Sequence, residues 1–109
     1  MKKISVNGYI YLIGEADYNN RYKIGYTRDI DISKRLRKLQ TGNSNKLELK
    51  KSYYSTRVNK LEKMLHMHYH DKQTINEWFE LTEDDVNNFL LICDKYQKII
   101  DSLNDNPFF

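Results

Sequence analysis

The spacing of apolar positions changes several times along the chain, and each change marks an element. Tyr9 to Ile13 is aromatic and β-branched and reads as a strand; a polar, hairpin-like stretch follows from Gly14 to Asn20. Arg21 to Thr27 reads as a second strand, in which Gly25 marks either a bulge or a close approach to the backbone. Ile32, Leu36 and Leu39 then recur at helical spacing behind a capping Asp29 or Asp31, with Gly42 just after the helix end. Leu47, Leu49, Lys51 and Tyr53 alternate on one side of a third strand. Ser55 or Thr56 caps a helix that turns Val58, Leu61, Leu65 and Tyr69 inward. A loop holds Glu77 to Leu81, and Thr82 with Asp85 forms a capping box for a long helix striped by Val86, Phe89, Leu90, Cys93, Tyr96 and Ile100. Only Gln97 interrupts that stripe. The order is β-β-α-β-α-α: an α+β fold with a three-stranded antiparallel sheet flanked by helices.

At 109 residues the chain has room for a single domain over 1–109, with a core over 8–81 and a C-terminal helix and tail over 82–109. No apolar run approaches the roughly 20 residues of a membrane span, and Met1-Lys2-Lys3 leads into no long apolar segment. Cys93 stands alone, so no internal disulfide can form, and a reducing, intracellular setting in cytoplasm or nucleus is expected. The net charge of +3 conceals a division: residues 1–60 carry +9 and residues 61–109 carry −6. The first half therefore suits a polyanion, and the second discourages indiscriminate binding.

Five short motifs fall in order on these elements. They are Tyr9-Ile10-Tyr11 on the first strand, Lys23-Ile24-Gly25-Tyr26-Thr27 on the second, and Lys34-Arg35-Leu36-Arg37-Lys38 on the first helix. Leu61-Glu62-Lys63-Met64-Leu65-His66 on the second helix and Glu77-Trp78-Phe79 follow. Together they resemble the GIY-YIG nuclease superfamily, in the compact phage- and virus-type branch whose second motif reads KIGYT, over roughly residues 8 to 81.

The resemblance implies a metal-dependent endonuclease acting on phosphodiester bonds in nucleic acid, in DNA before RNA. Glu62 is implied as the protein ligand of one Mg2+ or Mn2+, whose shell waters complete. Arg35 is implied as a phosphate clamp, since its planar fork holds two oxygens and stays charged. Tyr11 is implied as a base or water-positioning group, with Tyr9, Gly25, Tyr26 and His66 in support. Arg28, Arg37 and Lys38 read as contacts to backbone phosphates.

Two positions depart from the family pattern. Lys23 stands where tyrosine is usual; beside Arg35 and a metal it is either a neutral base or a retained charge on phosphate. Leu39 stands where relatives often carry histidine, and the asparagine near the end of many such domains has no clear counterpart. Glu62, His66 and His70 also share one helical face, a partial zinc pattern, with His68 between the two histidines. Two other classes stay open: a nucleic-acid-binding module that has lost cleavage, and a partner-recruiting protein using the acidic helix and the terminal Phe108-Phe109, residues more simply read as folding back on the core.

Overall fold

Alternation along the first strand sends Ile10 and Leu12 to one side and Tyr11 and Ile13 to the other, and all four are buried. A sheet buried on both faces needs helices on both, and that is the architecture of the computed structural model, which describes residues 6–16, 20–28 and 31–103. Strand β1 (Gly8–Glu15) runs between β2 (Arg21–Thr27) and β3 (Leu47–Ser55), antiparallel to each. Helix α1 (Ile32–Thr41) covers one face through Leu36 and Leu39, which pack on Tyr11, Ile13 and Leu47. Helices α2 (Val58–His68) and α3 (Glu83–Ser102) cover the other, where Val58, Leu61, Leu65, Phe89 and Cys93 pack on Ile10, Leu12 and Ile24. Burial pushes the Cys93 thiol up to about 12, as befits a core residue. No helix of the described residues is long and apolar enough to cross a membrane.

The sheet has five strands where three were expected. Strands β4 (Gln73–Ile75) and β5 (Trp78–Glu80) extend it beyond β2, in the order β3-β1-β2-β5-β4, with every pairing antiparallel. Each is three residues long, too short for a period of two to show. Their turn places Asn76 at φ 53°, a conformation asparagine tolerates better than most residues. The expected loop from Glu77 to Leu81 is thus largely a strand.

The third strand also differs. Its register against β1 shifts between Leu12 and Ile13, so that Lys51 faces Leu12 while Leu49 faces Ile13. The extra residue, Lys50, turns the strand over. Leu47 and Leu49 therefore lie on the α1 face, Lys51 and Tyr53 on the α2 and α3 face, rather than all four on one side. β1 itself continues through Gly14 and Glu15 into the expected hairpin stretch, of which residues 17–19 lie outside the described residues.

Asp31 caps α1, accepting from the Ser33 amide, while Asp29 lies outside the described residues, as do Phe108 and Phe109. At α2 the cap position falls on Arg57; Ser55 closes β3, and its Oγ accepts the Arg57 amide proton and donates to Gln97 Oε1 at 2.6 Å. Gln97 thus interrupts the apolar stripe of α3 in order to bind that buried serine. Thr82 and Asp85 form both bonds of the capping box. Leu90, expected inward, is 38% exposed.

What matters for the site is where β5 stops. It pairs with β2 only as far as Lys23, so among the described residues no strand covers the outer edge of Gly25, Tyr26 and Thr27.

Candidate active site

That open edge is where groups from both faces of the sheet meet. A cleft of about 450 Å3 lies there, lined by Tyr26, Thr27, Arg28, Arg35, Glu62 and Glu77. Arg35 arrives from α1 on one face and Glu62 from α2 on the other. Glu62 follows Leu61, which points into the core, so the helix turns the carboxylate toward the rim of the sheet.

Tyr11 stands directly across from Gly25 in the β1–β2 register. A Cβ at position 25 would lie 2.6 Å from Tyr11 Cζ and closer still to Oη, so only glycine leaves room for the ring. Tyr11 is 1% exposed, and its Oη has no protein hydrogen bond of ordinary geometry among the described residues. Burial pushes its phenol above the ordinary pKa; the Arg35 guanidinium beside it opposes that shift, and the Glu77 and Glu62 carboxylates reinforce it.

Glu77 is the residue that sequence reasoning missed. It occupies the β4–β5 turn, and its carbonyl accepts the Ile24 amide at 3.0 Å, which fixes the turn against the β2 edge. Its carboxylate reaches Glu62 on one side and Lys23 on the other, with Oε2 at 3.2 Å from Lys23 Nζ. Burial, then the Glu77 charge and a hydrogen bond to it, push the Glu62 carboxyl up to about 7, with Lys23 and Lys63 working against the rise. The sequence offered it only as the first residue of the Glu77-Trp78-Phe79 motif, with no role attached.

His66, one turn beyond Glu62, donates from Nε2 to the Ile24 carbonyl at 2.8 Å and meets Phe79 edge-on, its ring centroid at 5.0 Å. A carbonyl can only accept, so the neutral ring carries its proton on Nε2 and its lone pair on Nδ1. One donor atom from each of Glu62, His66 and Glu77 lies within 4.8 Å of the other two. Two carboxylates in contact and one oriented imidazole form a donor set that fits a divalent ion. The partial zinc pattern resolves differently from the helical spacing. Glu62 and His66 group with Glu77, while His70 is exposed outside the cluster and His68 Nδ1 pairs with Tyr96 Oη at 2.8 Å.

The remaining candidates divide. Tyr26 and the exposed Arg28 line the cleft. Lys23 shares the Tyr11 face of the sheet but is held between Glu77 and the Trp78 ring, whose centroid lies 5.7 Å from Nζ. Tyr9 packs edge-on against Tyr54, centroids 5.4 Å apart, away from the cleft lining. Arg37 and Lys38 are exposed on α1 and do not line this cleft. Leu39, at the position of the missing histidine, packs beneath α1 beside Tyr11.

A family model described as the T5orf172 domain matches residues 8–94, running through the sheet and α2 into the first half of α3. Comparison with curated proteins and with solved structures gave no match.

Proposed function

The chain belongs to the T5orf172 domain family, and we propose that its cleft is the active site of a GIY-YIG-type, metal-dependent endonuclease hydrolysing phosphodiester bonds in DNA. One observation carries this reading: phosphate-binding cations and divalent-metal donors converge on the same open strand edge. Arg28, Arg35, Glu62 and Glu77 line the same cleft, and His66 joins the two carboxylates in the donor cluster.

Glu62, with Glu77 and His66, would hold one Mg2+ or Mn2+. When bound, such an ion polarises the phosphate and offsets charge on the leaving oxygen. The protein groups divide the remaining work. Arg35 grips two phosphoryl oxygens and Arg28 a flanking phosphate, bringing the strand into line. Tyr11, its hydroxyl beside Arg35 and the Glu77 and Glu62 carboxylates, positions the attacking water; being a neutral phenol, it accepts that water's proton as it passes its own to the Glu77 carboxylate. That water's oxygen forms the new bond to phosphorus as the bond to the leaving oxygen breaks. Lys23 holds Glu77 through the ion pair and contributes positive charge; this favours the second of the two roles its sequence position left open.

A second reading, a nucleic-acid-binding module without cleavage, is favoured by the burial of Tyr11, since its buried hydroxyl reaches water only if the edge opens. Supercoiled plasmid and branched oligonucleotides incubated with Mg2+, Mn2+ or EDTA decide between the two. The nuclease reading expects metal-dependent nicking, abolished by Glu62→Ala and by Arg35→Ala. Cutting that persists in Glu62→Ala, or no cutting of any substrate with either metal, removes it.

A further inference from the structure

Arg35 and Lys38 lie three residues apart on α1, so one turn and a rise of about 4.5 Å separate them. Arg35 faces the cleft; Lys38 stands at a second cavity, of about 300 Å3, whose lining includes Lys23, Leu39, Asn43, Leu47 and Trp78. Trp78 is directly paired with Lys23 across β2 and β5 and so projects on the α1 face, with Arg21 Cζ at 5.1 Å and Lys23 Nζ at 5.7 Å from its ring centroid. The cavity therefore combines an indole, two leucine side chains, a carboxamide and a rim of cations.

We infer that this cavity receives an unpaired nucleobase of the bound strand, making the substrate class single-stranded or branched nucleic acid with an unpaired nucleotide beside the cleaved phosphate. The placement of that nucleotide rests on the nuclease reading; the base pocket itself does not. Bases stack on aromatic rings and on arginine guanidinium planes alike, so the Trp78 indole with Arg21 and Lys23 over its ring and leucine walls beside it suits any base, and the same cations suit the phosphates that flank it. In a duplex both faces of each base are covered by its neighbours, so paired DNA cannot present one to Trp78. Lys23, the residue that departs most from the family motif, separates this cavity from the cleft by bridging to Glu77. The exchange of a tyrosine for a cation at that position thus serves both compartments.

Trp78 is the only tryptophan in the chain, so tryptophan emission, excited at wavelengths the nine tyrosines do not absorb, reports on this cavity. The test titrates the full chain, in EDTA to prevent cleavage, with a short oligothymidylate and with a blunt duplex of the same length, following emission and the anisotropy of an end-labelled strand. Saturable quenching by the single strand is expected, with the duplex binding without comparable quenching. Trp78→Leu, checked for folding by circular dichroism, should weaken single-strand binding about tenfold while leaving duplex binding nearly unchanged. Unchanged emission on bound single strand, equal quenching by duplex, or no single-strand binding overturns the inference. The wild-type titration decides even if Trp78→Leu fails to fold. Metal-dependent plasmid cleavage with an unquenched Trp78 would remove the pocket and leave the nuclease; quenching without cleavage on any substrate would do the reverse.

Discussion

The ring of Tyr11 occupies the space above Gly25, its partner across β1 and β2, so completely that a methyl group there would collide with Cζ. The glycine of the second motif is therefore a seat for the tyrosine of the first. Gly25→Ala should displace the ring, destabilise the fold by about 1–3 kcal/mol and abolish cleavage. Tyr11→Phe keeps the shape and removes a buried hydroxyl that has no ordinary hydrogen bond, so its melting temperature should hold or rise. Its kcat should fall by about two to four orders of magnitude. A Tyr11→Phe enzyme with normal turnover would show that the hydroxyl neither positions nor deprotonates the water.

On the metal-site reading, Glu77 and His66 join Glu62 as donors. Glu77→Gln and His66→Gln should each weaken Mn2+ binding, measured by calorimetry without DNA, by about 10–100-fold, the range typical when a group supporting a metal ligand is removed. Glu62→Gln should lose binding altogether. If only Glu62 matters, the other two residues merely shape the cleft.

Lys23 tests which of its two roles holds. The ion pair to Glu77 calls for a cation, so Lys23→Arg should retain most turnover, and Lys23→Met should lose it while still binding DNA. Arginine cannot act as a base near neutrality; a Lys23→Arg enzyme as dead as Lys23→Met would instead make Lys23 the base.

Several of these relationships could be read from the chain before folding. Helical spacing was sufficient for α1, α2 and α3, because Ile32, Leu36 and Leu39, or Val58, Leu61 and Leu65, repeat over two turns or more. That Tyr11 and Lys23 share one face follows from the β1–β2 register, which pairs Tyr11 with Gly25 and Ile13 with Lys23. What escaped was whatever depends on a single inserted or short-range residue: the bulge at Lys50, the three-residue strands β4 and β5, and hence Glu77. A carboxylate in a tight turn has no period to betray it, and its neighbours Glu62 and Lys23 lie 15 and 54 residues away in the chain. Gln97 was legible only as an exception, since its partner Ser55 belongs to another element.

The basic first half should act through phosphates from the α1 side. Arg28 lines the cleft, while Arg37 and Lys38 are exposed on α1; the acidic residues Glu83, Asp84 and Asp85 open α3. Replacing all three basic residues by alanine should weaken DNA binding to a similar degree for every sequence. It should also reduce the slope of log affinity against log salt by about one for each phosphate no longer neutralised. An unchanged slope would mean these side chains are only solvated.

The cap of α3 gives the fold an acid-sensitive point away from the cleft. Asp85 accepts from the Thr82 amide at 2.9 Å, its own amide donates to Thr82 Oγ1 at 3.1 Å, and its carboxylate pairs with Lys72. Partial burial would raise the Asp85 pKa, but the Lys72 hydrogen bond and the two Thr82 bonds outweigh it and hold the group below its ordinary value of 3.8. A carboxylate whose folded pKa is depressed stabilises fully above its unfolded pKa, and that contribution is lost as pH falls through the folded value. Asp85→Asn keeps an acceptor for the cap and removes the charge. Its melting temperature should therefore lie below wild type at neutral pH, with the gap closing as pH drops below about 4. Thr82→Ala removes the other half of the box and should cost ~1 kcal/mol, about 4–8 °C for a domain of this size, at neutral and acid pH alike. If the Asp85→Asn gap is the same at neutral and acid pH, the carboxylate's charge contributes nothing to the cap and its bonds act through geometry alone.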